Sequence, residues 1–146
     1  MSNVVENKLN PYLSDLVVNF IKLHDIHWKV KGATFMQVHL YTEARYDDMA
    51  LKFDEVAEKI IMRGGQPVST IAQYMELATI KETGKEFYND VEAMKIVLAD
   101  LEFLMKEAQE IRADLDEAGE DTAVMMLDDH IASYEKEIWF INSMMA

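Results

Sequence analysis

A chain of 146 residues that is 50% hydrophobic is large enough for one folded domain, so a disordered protein is excluded. The absence of cysteine excludes disulfides and thiolate metal sites, and the five glycines and two prolines favour long helices over many short strands. The net charge of −13 disfavours binding to nucleic-acid phosphates and suits binding of metal cations.

Four long segments carry apolar residues at helical spacing and are predicted to be helices over residues 11–30, 35–63, 86–115 and 122–144. Asn10 and Pro11 are expected to cap and begin the first helix, and Gly32 to end it. A short helix is predicted over IAQYMELA, residues 71–78, in the long connection between the second and third helices. These elements predict an all-α four-helix bundle with a short extra helix in the crossover.

No apolar run reaches the ~18 residues that a membrane span requires, and no signal sequence is visible. We therefore expect a single domain over residues 1–146, no contact with a membrane, and a cytoplasmic location.

The second predicted helix carries a histidine and several carboxylates along one face. At ~100° per residue, this face gathers His39, Glu43, Asp47, Asp54 and Glu58, well away from the apolar stripe. Asp54 and Glu58 are four residues apart, so one cation can bind both carboxylates. The alternative is a solvated charged face on which Lys59 neutralises the pair.

Three histidines lie around the predicted turn at Gly32. His24 and His27 lie on the apolar stripe of the first helix, and His39 lies early in the second. Antiparallel packing of the two helices would bring His27 and His39 together near the turn. The alternative is that these histidines are hydrogen-bonded core residues without a ligand.

Helix length decides how these residues could share a metal. Asp54 follows His39 by 15 residues (54 minus 39), which is ~22 Å along a helix, so both cannot bind one ion within one chain. If they are ligands, two chains must meet antiparallel at a two-fold interface that builds two equivalent sites. The Glu-x-x-His motif of di-iron sites inside one bundle does not occur in the sequence.

The segment from His24 to Pro67 resembles the Dps miniferritins, the DNA-binding proteins from starved cells, within the ferritin-like superfamily. The matching positions are His27-Trp28, Gly32, Phe35, His39, the pair Asp54 and Glu58, and Gly64-Gly65-Gln66-Pro67. The resemblance implies a ferritin-like bundle that assembles into a hollow dodecamer with ferroxidase sites at its two-fold interfaces.

By this resemblance, His27 and His39 of one subunit and Asp54 and Glu58 of the other bind iron, with two irons in each site. Glu43 matches an acidic residue that helps to hold the second iron. Trp28 matches a tryptophan beside the centre that takes part in electron transfer.

The resemblance also implies the activity: oxidation of Fe(II), with hydrogen peroxide as the favoured oxidant, and storage of the ferric mineral as protection against oxidative damage. Five carboxylates are candidates for iron entry or mineral nucleation: Asp47, Asp48, Asp121, Asp128 and Asp129. Asp121 is alternatively a helix cap. His130 is expected to be structural.

Two features depart from the family pattern. Lys59 stands where arginine is usual, which is expected to alter packing around the site and not to abolish it. The lysine-rich tail of members that bind DNA directly is absent, so direct DNA binding is disfavoured. Three alternatives stay open: a DNA-compacting protein with a minor ferroxidase role, a helical assembly with structural histidines, and a cage that binds zinc or manganese in the same site.

Overall fold

The computed structural model describes residues 3–146 and confirms an all-α bundle with a short helix in the crossover. Its helices are α1 (Val4–Lys29), α2 (Phe35–Met62), α3 (Ile71–Leu77), α4 (Asp90–Glu117) and α5 (Asp121–Met145). Two short strands, β1 (Val30–Lys31) and β2 (Tyr88–Asn89), pair in parallel beside the turn between α1 and α2. Helix α1 packs along α2, and α4 packs along α5. Within residues 3–146, none of the helices combines the length and apolar character that crossing a membrane requires.

Helix α1 begins seven residues earlier than predicted, and Pro11 lies inside it. Asn3 is the cap, because its side chain accepts a hydrogen bond of 3.0 Å from a backbone N–H in the first turn. The predicted cap at Asn10 is therefore wrong. A proline inside a helix removes one hydrogen bond, but Leu9 and Tyr12 are fully buried on either side of it, and their burial holds the helix together.

Asn10 instead fixes the crossover that follows α2. Its side-chain amide donates to the Gln66 carbonyl at 3.0 Å, and its amide oxygen accepts from the Val68 N–H at 2.9 Å. Further along the crossover, the buried Asp15 carboxylate accepts three hydrogen bonds from Thr79 and Ile80. The long connection is thus anchored on α1 both before and after α3.

The turn between α1 and α2 is fixed by Asp90, the first residue of α4. Its carboxylate accepts hydrogen bonds from the Thr34 N–H at 2.9 Å and the Thr34 hydroxyl at 2.7 Å. Gly32 has φ +136°, and a Cβ there would lie 2.6 Å from the Asp90 Cγ, so only glycine fits. Helix α4 begins four residues later than predicted, because the strand Tyr88–Asn89 precedes it and Asn89 caps it.

Candidate metal centre

His27 at the end of α1 and His39 near the start of α2 form a histidine pair across the Gly32 turn. The Nδ1 of His27 lies 2.6 Å from the His39 carbonyl oxygen, and the Nδ1 of His39 lies 2.8 Å from the His27 carbonyl oxygen. A carbonyl can only accept, so both Nδ1 atoms carry the proton and donate. In a neutral ring this leaves the lone pair of each Nε2 free to bind a metal.

Packing holds both rings of the histidine pair in place. Their ring centroids are 3.7 Å apart with an interplanar angle of 11°, and the Phe35 ring stacks on His39 at 5.0 Å. His27 is only 6% exposed, and its Nδ1 also lies 3.2 Å from the buried Thr42 hydroxyl. The structure therefore brings together the two histidines that the sequence placed near one turn, and hydrogen bonds and ring packing fix their orientation.

Asp54 and Glu58 form a carboxylate pair on the exposed face of α2. A hydrogen bond with Asp54, together with repulsion from its charge, raises the pKa of Glu58 above its usual value. A cation bound between the two groups would relieve this repulsion. Among the described residues, Lys59 makes no ion pair with either carboxylate, so it does not neutralise them as the alternative from sequence supposed.

The two pairs lie at different ends of one helix. Helix α2 is continuous from Phe35 to Met62, so His39 and Asp54 are separated by ~22 Å of helix. Across residues 3–146, no three His, Asp or Glu side chains are grouped closely enough to hold a metal ion. The histidine pair and the carboxylate pair of one chain are therefore too far apart to bind one metal ion together.

The face of α2 that carries these candidate residues also exposes large apolar side chains. Five of them, with 54–72% of each side chain accessible, are Met36, Leu40, Leu51, Ile61 and Met62. Trp28, next to His27, is 70% exposed. Exposed apolar residues in such number mark a surface that another molecule covers. A face that is merely solvated, the alternative from sequence, does not explain them.

Trp28 and Glu43 both lie at the histidine end of this face. The Trp28 ring is 5.4 Å from that of His24, whose Nδ1 donates to the Phe20 carbonyl at 2.8 Å. Glu43 is exposed one helical turn after His39, and the Tyr46 hydroxyl donates to it at 3.5 Å.

The five candidates for iron entry or nucleation fall into different environments. Asp48 pairs with Lys52 and lies 3.5 Å from Arg45, and Asp128 pairs with Arg112 at 2.8 Å, so two of the five already have cationic partners. The other three, all exposed, are Asp47, Asp121 and Asp129. The cap of α5 is Glu120, so the alternative of Asp121 as a cap is wrong. Asp129 lines a cleft together with Glu58.

Sequence reasoning missed Thr42 as a partner of the histidine pair. Its hydroxyl donates to carbonyls in the preceding turn, at Val38 (2.8 Å) and His39 (3.0 Å), and lies beside the His27 ring. The available signal was its position three residues after His39, which places it on a neighbouring part of the helix surface.

Comparison with known proteins places the chain in a family. The sequence matches the ferritin-like domain family over residues 6–146. It is 34% identical to the DNA protection during starvation protein of Helicobacter pylori over 133 residues, which are 91% of this chain and 92% of that protein. The chain belongs to the Dps group of the ferritin-like family.

Solved Dps structures share its fold. A Dps protein from Bacillus brevis superposes with a TM-score of 0.95 at 30% identity, covering 100% of this chain and 99% of that one. A Dps protein from Vibrio cholerae O1, described as a member of a broad superfamily of ferritin-like diiron-carboxylate proteins, gives 0.92 at 26% identity over 97% and 89% of the two chains. Membership of this Dps group supports a miniferritin role and iron as the metal.

Proposed function

We propose that this Dps chain oxidises Fe(II) at sites shared between two subunits and stores the ferric product inside a hollow dodecamer. The crossed hydrogen bonds of the histidine pair carry the proposal, because they leave both Nε2 atoms free for a metal. The carboxylate pair lies at the other end of the same face. Two antiparallel α2 helices related by a two-fold axis would join the histidine pair of each chain to the carboxylate pair of the other.

The donor set fits iron. Neutral imidazole nitrogens and carboxylate oxygens together suit Fe(II), and the negative carboxylates stabilise the more highly charged Fe(III) product. Glu43, one turn from His39, offers a further oxygen ligand at the histidine end for a second iron. Each dimer would contain two such sites.

Hydrogen peroxide is the proposed oxidant. Two Fe(II) ions give one electron each to the same peroxide, whose O–O bond breaks, and hydrolysis of the two ferric ions releases four protons. Because both electrons go to one peroxide molecule, no hydroxyl radical leaves the site. Trp28 would exchange electrons with the centre, and its position directly after His27 and its exposure support this role.

The proposed route of iron uses the acidic residues outside the two pairs. Asp121, Asp128 and Asp129 at the start of α5 would attract cations at entry pores, and Asp47 and Asp48 on α2 would nucleate mineral. The ion pairs of Asp48 and Asp128 weaken these two assignments relative to Asp47, Asp121 and Asp129, which make no ion pair within residues 3–146.

The activity is tested by anaerobic addition of Fe(II) to the apo-protein, followed by a peroxide pulse and a record of ferric absorbance in the near ultraviolet. We expect rapid ferric absorbance in the wild type and much slower development in Asp54→Ala. Glu102→Ala is the matched control, because it removes an exposed helical carboxylate outside the proposed ligands, entry pores and nucleation residues. Traces identical to buffer alone would contradict the proposed function.

DNA compaction is the second candidate, because the relatives are named for DNA protection. We propose that this chain protects by removing Fe(II) and peroxide, since its net charge is −13. A compacting role would instead retard DNA in a gel at low salt, with the retardation lost steeply as salt rises.

A further inference from the structure

A buried chain of hydrogen bonds runs from the core to the carboxylate end of α2. The Tyr12 hydroxyl oxygen lies 2.5 Å from that of Tyr134 and 2.8 Å from the Nδ1 of His130. The Nε2 of His130 lies 2.8 Å from the Glu55 carboxylate. Both tyrosines and His130 are buried, whereas the Glu55 side chain is 55% exposed. The network therefore connects three helices and ends at the surface of α2.

The proton positions in this network follow from its chemistry. The Glu55 carboxylate only accepts, so the His130 Nε2 carries a proton and donates it to Glu55. The Nδ1 of the neutral ring then keeps its lone pair and accepts from the Tyr12 hydroxyl. Tyr12 has a single hydroxyl proton, so Tyr134 is the donor in the bond between the two tyrosines.

The surface end of the network lies beside the proposed iron ligands. Glu55 follows Asp54 directly and precedes Glu58 by three residues, about 4.5 Å of helix rise. Glu55, Glu58 and Asp129 line the same cleft. The other end stops at the buried Tyr134 ring, over which the Lys52 Nζ lies at 5.2 Å. Among the described residues, the Tyr134 hydroxyl makes no hydrogen bond beyond Tyr12, so the network joins the core to one surface only.

We propose that Tyr12 is a one-electron donor to the proposed iron site and that His130 takes its proton. This inference rests on the proposed ferroxidase function. Peroxide needs two electrons, and a site that holds a single Fe(II) supplies only one. Tyr12 would supply the second: Fe(II) becomes Fe(III), the Tyr12 phenol becomes a neutral phenoxyl radical, its proton passes to the His130 Nδ1, and the O–O bond breaks to give two hydroxide ions.

The surroundings of Tyr12 suit this coupled loss of an electron and a proton. Burial and the neighbouring Tyr134 raise the pKa of Tyr12 well above its usual value, so the phenol does not ionise by itself. Loss of the electron alone would leave a buried cation, which is unfavourable. With His130 at 2.8 Å the proton can leave at the same time, and the Glu55 carboxylate stabilises the resulting imidazolium.

Tyr134 provides a matched control. It is as deeply buried as Tyr12, but its hydroxyl donates to Tyr12 and makes no hydrogen bond to the His130 Nδ1 among the described residues. Tyr12→Phe removes the phenol that transfers its proton to His130, whereas Tyr134→Phe leaves that hydrogen bond in place. His130→Gln retains a polar side chain but cannot hold the transferred proton.

The test is electron paramagnetic resonance of protein that receives one Fe(II) per chain anaerobically, then a peroxide pulse and rapid freezing. We expect a ferric signal together with a tyrosyl radical in the wild type. Ring-deuterated tyrosine should narrow this radical signal, which separates it from a Trp28 radical. The tyrosyl signal should fall to background in Tyr12→Phe, decrease in His130→Gln, and persist in Tyr134→Phe.

The possible results distinguish failure of this inference from failure of the proposed function. A ferric signal without a tyrosyl radical in the wild type overturns this inference and leaves the proposed function intact, as does an undiminished radical in folded Tyr12→Phe. A wild type that forms no ferric signal overturns both. The narrowing with deuterated tyrosine is measured in the wild type. A radical signal that does not narrow therefore contradicts this inference even if a variant fails to fold.

Discussion

The histidine pair is oriented by backbone carbonyls, so its ring positions depend on the path of the chain. Each Nδ1 donates to the carbonyl of the other histidine, and no carboxylate is needed to fix the tautomer. In the proposed site, the carboxylates would come from the partner subunit and would neutralise the metal. Each chain would then supply one neutral and one anionic half of a site.

Replacing His27 tests the role of the pair. We expect His27→Ala to weaken Fe(II) binding by more than the ~10–100-fold that loss of an outer-shell partner costs. His24→Ala is the control, because His24 also donates its Nδ1 proton to a carbonyl on α1 but is outside the pair. Anaerobic calorimetric titration with Fe(II) measures both, and equal losses in the two variants would argue against a ligand role for His27.

Glu107 on α4 makes stability depend on pH. Burial, followed by a hydrogen bond with Asp15, raises the pKa of Glu107 to about 9. Between its unfolded value of 4.5 and about 9, the folded chain holds a proton that the unfolded chain lacks, so stability falls as pH rises through this range. Glu107→Gln should remove this loss and raise the melting temperature more at pH 8 than at pH 5.

The exposed Glu102→Gln is the comparison for Glu107, since it makes the same substitution on the same helix outside the interactions that raise the pKa of Glu107. Thermal unfolding of both variants at the two pH values measures the effect. A similar pH dependence in wild type and Glu107→Gln would show that Glu107 is ionised in the folded protein.

At the scale of elements, the turn between α1 and α2 sets the distance between the two histidines. Gly32 has φ +136°, and a Cβ added there would clash with the Asp90 carboxylate, which accepts hydrogen bonds from Thr34. Gly32→Ala should lower the free energy of unfolding by ~1–3 kcal/mol, the cost of a strained backbone conformation, and should also weaken Fe(II) binding.

Gly84→Ala is the control for Gly32→Ala, because it introduces backbone strain without a steric clash of the added Cβ. Gly84 also has a positive φ, +54°, but nothing lies within 4 Å of its added Cβ. Urea unfolding should therefore show a smaller loss in Gly84→Ala, with Fe(II) binding unchanged. A Gly32→Ala variant as stable as wild type would contradict the role given to this turn.

Local signals predicted some elements and not others. The bounds of α2 were predicted within one residue, because Gly32 and Gly64-Gly65 interrupt the helical pattern on both sides. The start of α1 was wrong because Asn10-Pro11 has a local capping pattern, while the burial of Leu9 and Tyr12 that keeps the helix intact depends on tertiary packing.

At the candidate site, too, local features could be predicted from the sequence and contacts between distant residues could not. The distance between His39 and Asp54 could be predicted from the helix rise per residue. The contact between His27 and His39 could be predicted from the short turn that joins their helices. The network of Tyr12 and His130 was not predictable, because the two residues are 118 positions apart on different helices and no periodic pattern joins them.

At the scale of the whole molecule, the face of α2 with the proposed ligands is expected to contact a second chain. Its exposed apolar side chains lie on the same face as the proposed half-sites. One contact between two chains would therefore cover these side chains and complete the sites. Assembly and activity should therefore be lost together.

Ile61→Asp tests this coupling without touching a proposed ligand. Ile61 is largely exposed in the single chain and lies on the same face as the carboxylate pair. We expect the variant to lose mass in size-exclusion chromatography with light scattering and to lose ferric oxidation. Ile61→Val keeps an apolar side chain at this position and should retain both. A fully assembled Ile61→Asp protein would place the interface elsewhere.

Complementation between two inactive variants tests the shared site most directly. One chain carries His27→Ala and His39→Ala, and the other carries Asp54→Ala and Glu58→Ala; mixed assemblies are purified through two different tags. If each site takes its histidines from one chain and its carboxylates from another, one of four donor combinations is intact, so about a quarter of the sites should oxidise Fe(II). Mixed assemblies that stay as inactive as either variant alone would contradict a site shared between subunits.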